Sequence, residues 1–113
     1  MRVTSDLFVA SLTRRVFAEG GYAAVLRRGA REAGAVFVIA RGRDGTATLL
    51  GPAAQTDYDA AKPSERLFSQ VVECQGDDGP IDERLQLEER FDPDFWVVEI
   101  EPAGRTEDLI TIR

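Results

Sequence analysis

Apolar residues recur in the first segment of the chain at Phe8, Leu12 and Val16, a spacing widened by Leu7, Val9 and Phe17. That stripe predicts an amphipathic helix over residues 5–19. Ser5 is placed to cap it, and Asp6 suits the positive end of the helix dipole. Gly20-Gly21 supplies the positive φ that commonly closes a helix. Two short runs rich in Val, Phe, Ile and Tyr follow at 22–27 and 35–41, separated by a polar loop at 28–34, and read as neighbouring strands. Asp44-Gly45 then predicts a tight two-residue hairpin into a third strand at 46–50. The expectation is a three-strand meander over 21–51, its second strand apolar on both faces (Val36, Phe37, Val38, Ile39) and therefore central.

Residues 51–63 are rich in Gly, Pro, Asp, Thr and Ala without a clean period, which predicts a surface crossing with at most one helical turn. In 66–73 the pairs Leu67/Val71 and Phe68/Val72 fit helical spacing. The short length, the β-branched valines and the turn-rich 75–79 that follows favour a strand, and strand is the reading adopted. Pro80 suits a first helical position, Asp82 and Glu83 fall in the first turn, and Ile81, Leu85, Leu87 and Phe91 are expected to cover one side of a second helix. Asp92-Pro93 stops it. Residues 95–100 read as a buried strand beside the meander, with a short edge strand in the tail at 109–112. The sum is a single domain over 1–113 of the α+β class: one mixed, mostly antiparallel sheet of about five strands with two to three helices. The alternative is a three-layer α/β/α sandwich.

A chain of 113 residues with 43% hydrophobic and 30% charged residues is of ordinary globular composition, which argues against disorder or low complexity. No apolar run approaches the roughly 20 residues of a membrane span, and nothing after Met1 reads as a signal peptide; a cytoplasmic protein is expected. With no histidine and one cysteine, Cys74, the chain lacks the residues for Ser-His-Asp or Cys-His catalysis, an intrachain disulfide or the usual zinc sites. The net charge of −6 opposes non-specific attraction to polyanions. It is unevenly distributed. Residues 1–50 hold eight arginines against four carboxylates, a balance of +4, and the remainder carries −10. An arginine-rich half can meet phosphate or carboxylate groups, whereas the plainer expectation is that the two halves pair with each other.

Several segments resemble those of an uncharacterised family of short, mostly alphaproteobacterial proteins, domain-of-unknown-function family 1491. They are Gly21-Tyr22-Ala23-Ala24-Val25-Leu26-Arg27-Arg28-Gly29, Ala33-Gly34-Ala35-Val36-Phe37-Val38, Asp44-Gly45-Thr46-Ala47-Thr48-Leu49 with Gly51-Pro52, and Phe91-Asp92-Pro93-Asp94-Phe95-Trp96-Val97-Val98-Glu99-Ile100-Glu101. The likeness spans nearly the whole chain, with Phe95 where the family usually has an aliphatic residue. It implies a bacterial domain of mixed α and β structure and carries no catalytic residue over.

The sharpest enzymatic reading is a Mg²⁺-dependent nuclease, since Pro93-Asp94 followed by Glu99-Ile100-Glu101 resembles the acidic part of the PD-(D/E)xK pattern. Asp94, Glu99 and Glu101 are its metal candidates, although Glu101 stands where the pattern needs a lysine. The plainer reading has Glu99 and Glu101 on the solvent side of a strand whose Trp96, Val98 and Ile100 face inward. Cys74 is a small half-buried residue unless a nearby arginine activates it. Trp96 fits either an interface anchor or the core, and its place in an apolar run favours the core. The acidic stretch 77–89 is a solvated surface, or offers carboxylates to Arg27, Arg28 and Arg41 across a two-fold axis.

No convergent catalytic set and no cofactor is implied. The reading that follows is a small non-catalytic binding or accessory module acting through protein contacts, with an unidentified protein partner or by self-association. Arg27, Arg28, Arg41, Arg66 and Trp96 are its binding candidates. The alternatives are the Mg²⁺-dependent carboxylate enzyme and an RNA- or DNA-binding domain using the arginine-rich half, with Tyr22 or Phe37 for stacking.

Overall fold

Helix α1 (Ser5–Ala18) follows the apolar stripe, but Val9, Leu12 and Val16 are the apolar residues it buries. Leu7 and Phe17 remain exposed, because the helical period carries them round to the solvent side. Thr4, not Ser5, takes the N-cap position. Ser5 lies inside the first turn, fully buried, and donates from Oγ to the Gly34 carbonyl, which would otherwise lack a donor from the helix. After Glu19 the chain leaves the helix through Gly20 at φ +90°, the left-handed value that a residue with a Cβ resists.

The computed structural model describes residues 3–54 and 66–113. The expected surface crossing at 51–63 lies outside the described residues beyond position 54. Among the described residues are six strands: β1 (Tyr22–Arg27), β2 (Val36–Arg41), β3 (Thr46–Pro52), β4 (Leu67–Gln75), β5 (Trp96–Glu101) and β6 (Thr111–Ile112). They form one mixed sheet in the order β1-β5-β2-β3-β4-β6. The α+β class stands, with one strand more than expected.

The order also corrects the meander. Strand β1 does not pair with β2; β5 lies between them, antiparallel to β1 and parallel to β2. The meander is β2-β3-β4. Burial explains the insertion. Strand β5 is apolar on both faces, with Trp96, Val98 and Ile100 in one core and Val97 in the other, so it demands covered neighbours on each side. Strand β1 buries only Ala23 fully and suits an edge. A bulge between Val25 and Arg27 finishes it.

The β2–β3 hairpin is also built differently from the expected two-residue turn. Only Gly45 has a positive φ, +87°, and Gly42 N donates to Thr46 O at 2.8 Å, which encloses three residues. The Asp44 carboxylate accepts the Thr46 N–H at 3.0 Å. That bond, which holds the Asp44 carboxyl below its usual range, does the work the sequence assigned to a second left-handed residue. The ambiguous segment at 66–73 is strand, as read.

Helix α2 (Gly79–Phe91) begins with Pro80 in its first turn and ends at Asp92. It buries Ile81 and half-buries Leu85. Leu87 and Phe91 do not join them and are exposed, Phe91 at 84%, since a turn of about 100° per residue carries both well away from Ile81. Helix α1 packs with one core cluster and α2 with the other, so each face of the sheet carries a helix. A 3₁₀ turn (Thr106–Asp108) leads into β6 beside β4. No helix among the described residues is long and apolar enough to cross a membrane.

Candidate functional site

The candidate residues fall into three groups. Two are contacts within the chain. Arg27, at the end of β1, has its guanidinium carbon 4.2 Å from the centre of the Phe95 ring. It also donates to the Pro93 carbonyl at 2.5 Å and stands 3.6 Å from Glu89. Arg41, at the end of β2, is a tighter junction. Its Nη1 and Nη2 donate to the two carboxylate oxygens of Asp78 at 3.1 and 2.6 Å, and its Nε donates to Glu99 Oε2 at 2.9 Å. A planar guanidinium suits this use, because its fork meets one carboxylate bidentately while Nε meets another. The hydrogen bonds from Arg41 hold the Asp78 carboxyl below its usual range, and those same bonds, first to Asp78 and then to Glu99, raise Arg41 further. The acidic and basic halves thus meet inside one molecule at Arg27–Glu89 and Arg41–Asp78.

The second group surrounds Trp96, which is 1% exposed and belongs to the α1-side core. Its Nε1 donates to the Ala30 carbonyl at 2.8 Å, its backbone N donates to Ala35 O at 2.7 Å, and the guanidinium carbon of exposed Arg28 lies 5.3 Å from its ring centre. Ala30 N in turn donates to Asp94 O at 2.9 Å. A Cβ on Gly29 would collide with that Asp94 carbonyl and lie 2.6 Å from the Phe95 carbonyl carbon, and one on Gly34 would lie 2.6 Å from Asp94 O. The start of α1 docks on the same loop, with Ser5 N and Asp6 N donating to Glu32 O and Arg31 O. Arg66 donates to Val3 O and Ser5 Oγ, with its guanidinium carbon 5.2 Å from the Phe8 ring centre. The segments that carry the family likeness therefore build an interlock between the 28–34 loop and the entry to β5. Gly29→Ala is expected to cost about 1–3 kcal/mol by forcing backbone apart, read as a lowered midpoint of urea unfolding with the slope unchanged.

The third group is the carboxylates. Asp94 and Glu99 are five residues apart along nearly extended chain, a separation on the order of 16 Å, and they do not converge. Glu99 is half-buried against Arg41 rather than solvent-facing, while Glu101 ends β5 exposed, opposite Tyr22. Among the described residues no three acidic or thiol side chains are arranged to hold a metal ion. An open cleft of about 600 Å³ lies at the carboxyl ends of the parallel pair β2 and β5, lined by Arg43, Asp44, Glu73, Pro102 and Thr106 among others. It mixes charges of both signs.

Sequence reasoning gave Ser5 only a capping role and Asp78 only a place in the acidic stretch, and did not mark Ala30; their contacts lie 29 to 66 residues away along the chain. Nor did it mark the outer edge of β1. No strand among the described residues pairs with that edge, and Tyr22, Val25 and Leu26 stand along it 48%, 37% and 55% exposed. Phe17 of α1 adds an exposed ring in edge-to-face contact with Tyr22, the centroids 6.0 Å apart.

These features define a small α+β domain whose mixed sheet carries a helix on each face and ends in an apolar strand whose outer side meets no other strand among the described residues. More particularly, the chain belongs to the DUF1491 family, described as proteins of unknown function, whose model matches residues 3–109. It is similar to protein Atu0922 from A. tumefaciens, solved in solution, at 45% identity over 99% of this chain and 95% of that one, with a TM-score of 0.82. It is also similar to a DUF1491 family protein from Caulobacter crescentus, solved by crystallography, at 36% identity over 98% of this chain and 99% of that one, with a TM-score of 0.78. Among curated proteins none matches.

Proposed function

We propose that the chain is a non-catalytic binding module that acts through protein contacts made along the outer edge of β1. One observation carries this reading: the sheet ends in a strand with apolar side chains in solvent, and no strand among the described residues pairs with its outer side. Such an edge offers unpaired N–H and C=O groups as a template for another strand, and isolated natural domains normally blunt it with charge, proline or cover. The arginines that could have served a nucleic acid are less available, since Arg27, Arg41 and Arg66 are engaged within the chain. A cytoplasmic setting belongs to the same reading, as the free thiol of Cys74 suits a reducing compartment.

The test compares affinity capture by the tagged wild-type protein and by its Leu26→Lys variant from the native host, with and without nuclease. Stoichiometric, nuclease-resistant protein, lost with the variant, is the expected result. Capture that the variant leaves unchanged, or nucleic acid that nuclease removes, would overturn it.

A further inference from the structure

We infer that the occupant of the β1 edge is the β1 edge of a second copy, the two strands running antiparallel about a two-fold axis at Val25; this rests on the reading of the edge as a protein-contact surface. Three properties of the strand are self-complementary. The first is its charge. The end at Tyr22 is acidic, with exposed Glu19 and with Glu101 opposite Tyr22 on β5, while the far end carries exposed Arg28. Antiparallel pairing sets Arg28 of each copy beside the acidic end of the other, whereas parallel pairing would place like charges together.

The second is shape. With Val25 against Val25 of the second copy, Leu26 falls opposite the small Ala24, so a large exposed side chain meets a position with room for it. Directly opposed residues share a face of the sheet, and Ala24 and Leu26 have the same parity. About this axis Tyr22 and Ala23 face Arg28 and Arg27 of the second copy, so the uncharged pairs are those of Ala24-Val25-Leu26 with itself, and the bulge before Arg27 marks their limit.

The third is closure. The opposite margin of the sheet is unlike β1: β6 covers the start of β4, pairing at Leu67 and Phe68, and beyond it β4 carries Gln70, Glu73 and Gln75, all exposed. A molecule with one adhesive edge and one polar edge closes as a dimer and does not polymerise.

Sedimentation equilibrium of the full chain over a concentration series tests this, with the expected mass twice 12.4 kDa. Val25→Lys places two ammonium groups at the axis and is expected to weaken the dimer on the order of 100-fold. Phe91→Lys, on the exposed side of α2, leaves it intact. Far-ultraviolet circular dichroism verifies that the variants fold, and Leu26→Lys serves where Val25→Lys does not. Arg28→Glu weakens the dimer, and adding Glu101→Arg restores it. A wild-type chain that is monomeric at millimolar concentration overturns the inference, as does a dimer indifferent to Val25→Lys and Leu26→Lys. A monomer that still captures a different protein through Leu26 leaves the binding-module reading standing, while a monomer whose capture ignores Leu26 removes both.

Discussion

Trp96→Ala is expected to destabilise the fold by about 3–5 kcal/mol, the range for truncating a large buried aromatic. A domain of this size holds only about 5–15 kcal/mol in total, so the loss is a large share of it and is expected to lower the thermal midpoint by roughly 10–40 °C. Two losses combine. The side chain is 1% exposed and packs on β5 in the α1-side core, so its removal leaves a cavity among Val, Leu and Ile side chains that relax only in part. It also removes the donor to the Ala30 carbonyl, in the loop whose Ala30 N–H holds Asp94 O. Trp96→Phe separates the two, keeping most of the apolar contact and deleting the hydrogen bond, with an expected cost of about 1–2 kcal/mol. Because Trp96 is the sole tryptophan, urea unfolding is followed by circular dichroism. A loss below about 1 kcal/mol for the alanine variant would show that the 28–34 loop is held without the indole.

The features legible in the sequence are those set by residues close along the chain. Helix α1 ends where Gly20 permits a left-handed turn, and α2 lies between Pro80 and Asp92 because proline chemistry acts within one or two residues. The hairpin at Asp44-Gly45 was legible in place but not in type, since the turn type depends on whether Asp44 adopts a positive φ or uses its carboxylate instead. Strand order was misread for a physical reason. Proximity in sequence favours pairing β1 with β2, whereas burial favours placing the two doubly apolar strands, β2 and β5, side by side. The continuous apolar run that correctly made β2 central has its equal in β5, and the same rule applied to both would have pushed β1 to the edge.

The candidate site was less legible. Arg27, Arg41 and the acidic stretch at 77–89 were matched by charge, but charge alone does not distinguish contacts within one chain from contacts across a two-fold axis. The distinction depends on the crossover through α2, which brings Asp78 to Arg41 across 37 residues and Glu89 to Arg27. The glycines were informative in another way. Gly29 and Gly34 stand where backbone meets backbone at Asp94, so the segments with the most distinctive sequence report a packing requirement rather than a reaction.

Arg41→Ala is expected to cost about 2 kcal/mol and to flatten the acid limb of the stability curve. The cost arises chiefly at Glu99, whose side chain is 18% exposed and would keep its charge half-buried without the Nε donor. Asp78, at 42% exposure, lies close to water and its share is screened. Its effect is seen instead in the pH dependence. Arg41 holds the Asp78 carboxyl below its ordinary value of 3.8 in the folded state. Its contribution is therefore complete above that value and is lost as pH falls through the lower, folded one. Asp6 and Asp44 are lowered in the same direction by hydrogen bonds from Thr4 and Thr46, so the wild type alone reports a sum. The difference between the wild type and Arg41→Ala, measured by urea unfolding at pH 7 and at steps below pH 4, isolates the Arg41 junction. The gap should be widest at pH 7 and narrow toward acid. Arg41→Lys keeps the charge but replaces a fork that serves two carboxylates with a single ammonium, and is expected to recover less than half of the loss. A gap that stays constant from pH 7 into acid would show that Arg41 stabilises the fold through its aliphatic stem and not through Asp78 and Glu99.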